Sequence, residues 1–155
     1  MKQVVLYFPG QGAQHLGMLA DLAEQYPVIK QTFEQALAAI NQDLWSLVQQ
    51  GPAEKLNLTY NTQPILVTAS AALWQVIEQE LGEDIKVIAA AGHSVGEYSA
   101  LYAAGVLTLE DAVRLVKKRG ELMDSAVPAG EGGMAAILGL DSEQIQAVCD
   151  QASSA

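Results

Sequence analysis

The chain carries little positive charge, little histidine and almost no cysteine. Eight Lys and Arg stand against eighteen Asp and Glu, giving a net charge of −10 over 155 residues. That balance argues against a nucleic-acid partner, because a phosphate backbone needs a basic face. The single cysteine, Cys149, leaves no internal disulfide and fits a reducing compartment. It lies in a helical stretch with no basic residue nearby in sequence to activate it, so a structural thiol is expected. No apolar run approaches the ~20 residues of a membrane span. The start, Met1 to Phe8, is too short an apolar run for a signal peptide and is broken by Pro9-Gly10. The expected location is cytoplasmic. Two histidines, His15 and His93, are all the chain has, and no metal site is expected.

Half of the residues are apolar and 17% are charged, which is enough for a substantial core and gives no case for disorder. The length implies one domain, or one and a fraction. Val4 to Phe8 is a continuous apolar run closed by Pro-Gly, as a buried parallel strand should be. A Gly/Gln-rich loop, Gly10 to Gln14, precedes a helix-like stretch from Met18. Pro27 can open the next helix, on which Ile29, Phe33, Leu37 and Ile40 recur at helical spacing. Thr62 is expected to cap a long helix with Pro64 near its start and an apolar face of Ile65, Leu66, Ala69, Leu73, Val76 and Ile77; Gly82 ends it. A strand over 85–91 follows, then a helix-like stretch over 95–105, then a helix over 109–124 capped by Thr108. Pro128, Gly130, Gly132 and Gly133 form the one credible domain boundary, dividing residues 1–127 from 128–155. Beyond it come a strand over 134–138 and a helix capped by Asp141. Strands alternating with helices, each strand apolar on both faces, predict an α/β fold with a parallel sheet.

The densest chemical signal is Gly92-His93-Ser94-Val95-Gly96-Glu97. It sits between a strand and a helix, with glycines two residues either side of a serine. Such a turn lifts the hydroxyl out of the sheet and points the next backbone N–H at whatever the serine attacks. By composition, a Gly-x-Ser-x-Gly arises in about one chain in twenty of this length, but the strand before it and the helix after it make chance a poor account. The pattern reads as a nucleophile elbow, and so as acyl transfer.

One arginine is out of place. Arg114, Lys117 and Lys118 share the outer face of the helix over 109–124, whereas Arg119 has Leu115, Val116, Leu122 and Met123 as its helical neighbours. It therefore projects from the stripe expected to be buried. A guanidinium there cannot shed its proton and needs an anion. A structural pair with Glu97, or snorkelling to the surface, would supply one answer. Beside a nucleophile elbow, a substrate carboxylate held by two parallel hydrogen bonds is the other.

Three motifs then agree: Phe8-Pro9-Gly10-Gln11-Gly12, Gly92-His93-Ser94-Val95-Gly96-Glu97-Tyr98-Ser99-Ala100 and Arg119-Gly120. Together they closely resemble the malonyl-CoA:acyl-carrier-protein transacylase family of type II fatty acid synthesis, and the resemblance runs from Met1 into the last helix. It implies an α/β-hydrolase-like core and, after residue 127, the start of an inserted ferredoxin-like subdomain. It also implies that Ser94 is the nucleophile, that the backbone N–H groups of Gln11 and Val95 form the oxyanion hole, and that Arg119 binds the free malonate carboxylate. His93 lines the site and Gln63 lies near it. The implied reaction is ping-pong, from malonyl-CoA to the phosphopantetheine thiol of acyl carrier protein, with no cofactor. Carrier proteins of this pathway are acidic, as this chain is, so Arg114, Lys117 and Lys118 are the local counterweight expected to dock one.

Serine needs a base, and neither histidine fits. His93 directly precedes Ser94 and is turned away by the elbow, while a turn role is expected for His15. In the family the catalytic histidine lies far beyond residue 155, in chains about twice as long. A cleaved or truncated chain, a partial gene product and one half of a two-chain enzyme are all compatible with this. Alone, the chain is expected to be an impaired [acyl-carrier-protein] S-malonyltransferase. Two other readings stay open. One is a serine esterase or thioesterase, which Arg119 and the Gln11 loop weigh against. The other is a non-catalytic module that binds malonyl-CoA or a carrier protein.

Overall fold

Between Lys55 and Glu78 the chain carries no charge, and that stretch becomes the centre of the molecule. The computed structural model describes residues 1–127, 131 and 137–153. Its longest helix, α5 (Thr59–Leu81), has every residue from Asn61 to Ala72 buried. A helix apolar on one stripe needs one cover, but a helix buried all round needs several. Here α2 (Val28–Ile40) and α7 (Leu109–Ser125) pack against it and against each other, with α6 (Gly96–Ala103) closing a further side. Phe33, Ile29, Leu44, Leu56, Ile65, Val113 and Val116 form the tightest part of this core.

Helix α5 starts four residues earlier than the capping pattern implies. Leu58, not Thr62, precedes its first turn, and the N–H groups of Asn61 and Thr62 both donate to the Leu58 carbonyl. The Thr62 hydroxyl is instead buried and donates to the Leu56 carbonyl at 2.6 Å. A threonine oxygen can serve either end of such a motif, and the burial of Leu56 against the core decides which. Of the expected apolar face, Ile65, Leu66, Ala69 and Val76 are buried, whereas Ile77 is exposed.

The smaller helices fall where local chemistry places them. Helix α1 (Ala20–Gln25) follows the glycine loop. Pro27 stands immediately before α2 with helical dihedrals, and Thr108 caps α7 by accepting from the Asp111 N–H at 3.1 Å. Two short helices, α3 (Leu44–Gln50) and α4 (Ala53–Leu56), have no counterpart in the sequence reading. Asp43 caps α3, accepting from the Ser46 N–H at 2.8 Å and its hydroxyl at 2.7 Å; these bonds hold its carboxyl below the usual value. Helix α8 (Ser142–Ser153) is capped by Asp141, as expected, through a reciprocal pair with Gln144. It buries none of its residues, and Cys149 on it is exposed rather than packed as a structural thiol. Most of the Pro/Gly link and the first part of the strand expected over 134–138 lie outside the described residues; Ile137 and Leu138 are not in a strand.

Strands β1 (Lys2–Phe8) and β2 (Ile85–Gly92) form a parallel pair, with Phe8 opposite Gly92 and a bulge between Val4 and Val5. The expectation of strands buried on both faces is not met. Val4, Leu6 and Phe8 are half-buried, while Val5, Tyr7, Val87 and Ile88 are exposed. Helices cover one face of this two-stranded sheet, so burial alternates along β1 with the pleat. Beneath β1 an apolar cavity of about 330 Å³ opens between Leu6, Phe8, Met18, Leu66 and Trp74. The parallel register brings the carboxyl ends of both strands together, and the candidate site lies there.

Candidate active site

Ser94 has φ of 55°, a left-handed conformation that a residue with a Cβ rarely adopts. The two glycines of the motif play a different part from the one the sequence suggests. Neither turns through a positive φ; both are needed because backbone passes where a side chain would be. A Cβ on Gly92 would overlap the Gly96 carbonyl group, and one on Gly96 would sit 2.5 Å from the Phe8 carbonyl oxygen. The elbow is thus a strained serine wedged between two close backbone crossings, and strain of this kind persists only where its surroundings enforce it. Val95, buried, immediately precedes α6, whose positive N-terminal end faces this turn.

The glycine loop joins the elbow from the end of β1. The His93 N–H donates to the Phe8 carbonyl at 3.3 Å, and Gly10 lies directly against the His93 ring. Gln11 and Gln14 tie this loop to the start of α5. The Gln11 amide reaches the Thr59 hydroxyl at 3.5 Å, and the Gln14 amide donates to Asn57 at 2.8 Å. The backbone N–H groups of Gln11 and Val95 donate to no acceptor among the described residues. Each sits three residues past a strand end, Gln11 after β1 and Val95 after β2.

Arg119 reaches the same place from α7. One guanidinium nitrogen donates to the Gln63 side-chain oxygen at 2.7 Å, and the other to Ser94 Oγ at 3.1 Å. Among the described residues it forms no ion pair, and Glu97 is exposed with no bond to it. A structural partnership with Glu97 is therefore not what holds this arginine. Its surroundings also differ from the expectation. Val116 is buried, but Leu115 and Leu122 are about half exposed, so the stripe around Arg119 is an open groove rather than a sealed face. That groove, lined by Tyr98, Leu115, Lys118, Leu122, Met123 and Ala126, leaves the remaining guanidinium donors within reach of a ligand.

The six residues singled out in the sequence divide clearly. Ser94, Val95, Arg119 and Gln63 are joined by the elbow and by direct hydrogen bonds. Gln11 is in the adjoining loop. His93 is exposed and forms no hydrogen bond to Ser94; its ring lies over Gly10. His15 forms a turn, its carbonyl accepting from the Met18 N–H at 3.3 Å, and lines the cavity beneath β1. Sequence reasoning missed Met123, whose sulfur accepts from the Gln63 amide at 3.3 Å. It also missed Gln42, which takes the Lys117 ammonium at 2.6 Å and donates to Asn61 at 2.6 Å. Met123 stands one turn beyond Arg119, so helical spacing could have flagged it; nothing local marks Gln42.

An exposed serine on a strained strand-to-helix turn, unengaged N–H groups in that turn and in the adjoining glycine loop, and a cation on its hydroxyl suit addition to a carbonyl. The acyl transferase domain model matches residues 5–155. The chain belongs to the acyl transferase domain family. Within it, the malonyl CoA-acyl carrier protein transacylase of Escherichia coli K12 is 54% identical over 153 residues, or 99% of this chain and 49% of that protein. The corresponding protein of Bacillus subtilis is 50% identical over 151 residues, 97% of this chain and 47% of that one. Among solved structures, an acyl carrier protein S-malonyltransferase from Vibrio cholerae aligns with a TM-score of 0.86 at 53% identity, covering 98% of this chain and 49% of that chain. A malonyl-transacylase in complex with a type II PKS acyl-carrier protein aligns at 0.87 with 51% identity, covering 97% and 48%. This acyl transferase domain shares their α/β fold, mostly helical with a small parallel sheet. It spans about half the length of the curated relatives it matches.

Proposed function

We propose that this acyl transferase domain serves malonyl transfer from malonyl-CoA to the phosphopantetheine thiol of an acyl carrier protein, by a ping-pong route through an ester on Ser94. The observation that carries the reading is the placement of Arg119. Its guanidinium stands 3.1 Å from the serine hydroxyl with no carboxylate of its own among the described residues. A cation left without an anion beside a nucleophile selects an acyl group that brings one.

In this account Ser94 Oγ attacks the malonyl thioester carbonyl and its proton passes to a base. The backbone N–H groups of Gln11 and Val95 hold the tetrahedral oxyanion, and the C–S bond breaks to release CoA. The carrier thiol then attacks the Ser94 ester, and the serine recovers its proton. No cofactor enters; malonyl-CoA is a substrate. Neither His93 nor His15 bonds to Ser94, so neither is taken as the base; the chain covers 49% of the Escherichia coli relative, and the base is assigned to the part of such a protein that it does not cover. We further take the parallel strands as part of a hydrolase-like core, residues from 128 as the start of a ferredoxin-like subdomain, and the setting as cytoplasmic. No described helix is long and apolar enough to cross a membrane.

Replacing Arg119 with Ala tests this directly. Two charge-assisted hydrogen bonds, each worth about 1.5–3 kcal/mol, are lost to a carboxylated donor and none to an uncharged one. Acylation of Ser94 by malonyl-CoA is expected to fall by roughly 10²-fold or more, and acylation by acetyl-CoA to change little. Equal losses for both donors would refute the reading.

A further inference from the structure

Gln63 is buried within α5, and its side chain spans two residues of α7 that are one turn apart. Its oxygen accepts from Arg119 at 2.7 Å, and its nitrogen donates to the Met123 sulfur at 3.3 Å. These partners fix which way the amide points. A guanidinium can only donate and a thioether sulfur can only accept, so the oxygen must face Arg119 and the nitrogen Met123. The helix crossing beside this contact is close: a Cβ on Gly120 would lie 2.5 Å from the Tyr60 Cα. The bridge is therefore set in a part of the fold with little room to shift.

We propose that Gln63 is a positioning residue that orients the Arg119 guanidinium toward Ser94 without neutralising it, and that this neutrality keeps the site selective for carboxylated acyl donors. The inference rests on the reading of Arg119 as the partner of a substrate carboxylate. A neutral acceptor holds one edge of the guanidinium fork and leaves its full charge for the ligand. A carboxylate at the same position would hold the fork at least as well, through a charge-assisted bond, yet would spend the charge on the protein. Gln63 thus acts through Arg119 and has no need to touch the substrate.

Two substitutions separate orientation from charge. Gln63→Glu keeps the acceptor and supplies an anion; Gln63→Leu keeps the volume and removes the acceptor. Both are made in a Ser94→Ala background, so that no acyl transfer occurs, and malonyl-CoA and acetyl-CoA are titrated by calorimetry. The background protein is expected to prefer malonyl-CoA. Gln63→Glu is expected to lower malonyl-CoA affinity about tenfold or more and to leave acetyl-CoA affinity unchanged. Gln63→Leu is expected to lose a smaller, few-fold part of the preference, because the arginine keeps its charge but not its aim. This ordering is the signature: a purely structural role makes the isosteric, hydrogen-bonding Glu the milder change. A preference that survives intact in Gln63→Glu overturns the role of Gln63 alone. A background protein that binds the two esters alike, or neither, overturns the reading of Arg119 and this role with it.

Discussion

The crossing of α5 and α7 carries both the core and the site, so a single methyl group at Gly120 should disturb both. A Cβ there would meet the Tyr60 Cα at 2.5 Å, the Tyr60 nitrogen at 2.9 Å and the Thr59 carbonyl oxygen at 3.0 Å. All three are backbone atoms near the start of α5 and cannot rotate away. Relief requires the helices to part by about 1 Å, the gap between 2.5 Å and ordinary van der Waals contact. Overpacking of this kind costs about 1–3 kcal/mol, offset slightly by the better helix propensity of alanine. The same displacement acts on the neighbouring Gln63–Arg119 bond, because Gln63 rides on α5 and Arg119 on α7. A misplacement of about 1 Å at a reacting centre can cost roughly 10²-fold in rate. Gly120→Ala should therefore lower the urea midpoint without changing its slope, and should slow malonyl loading of Ser94 by far more than its loss of stability explains. Chemical unfolding and timed intact-mass measurements read the two effects separately. A variant as stable as the parent, with unchanged loading, would refute the argument that this crossing sets the position of Arg119.

Two further outcomes are expected. Asp43 has its carboxyl held low chiefly by the Ser46 backbone N–H, so its cap stabilises the fold above the unfolded aspartate pKa and is lost as pH falls through the lower folded value. Asp43→Ala should cost about 1 kcal/mol at neutral pH and converge with the parent in strong acid; thermal melts across pH check this, and a constant difference would contradict it. Neutralising Arg114, Lys117 and Lys118 together should weaken binding of an acyl carrier protein and flatten its salt dependence, as titrations at two ionic strengths would show. Lys117 already donates to Gln42 at 2.6 Å, so part of the loss should be structural, and unchanged carrier binding would remove these residues from any docking role.

Much of the site could be read from local pattern, because its main residues lie in short motifs whose geometry is nearly local. The elbow needs only a strand, a serine and a helix within a dozen residues. Arg119 stood out because its helical neighbours are apolar, although Leu115 and Leu122 leave that face open in the structure. What could not be read depends on contacts far apart in sequence. Gln63 and Arg119 are linked only because α5 and α7 cross at Gly120, and the use of Met123 as an acceptor follows from that crossing. The reason for the motif glycines was also hidden, since close approach to Phe8 is a tertiary fact and not a turn propensity. For the fold, the apolar strands were legible, but not that alternate residues of β1 and a run of four in β2, residues 86–89, would be exposed. Burial depends on how many neighbours a strand has, which its own sequence does not state; among the described residues β1 and β2 pair with each other and helices lie on one side. Helices α3 and α4 escaped because they span only seven and four residues, too few for helical periodicity to stand out.

In the proposed reaction Ser94 receives a malonyl group because Arg119 waits for its carboxylate. Incubating the 155-residue chain with malonyl-CoA and mapping the modified peptide by mass spectrometry tests it most directly. A slow, single malonyl ester on Ser94 is expected, absent in Ser94→Ala and greatly reduced in Arg119→Ala. Labelling at a residue other than Ser94, labelling undiminished in Arg119→Ala, or equal labelling by acetyl-CoA would contradict it.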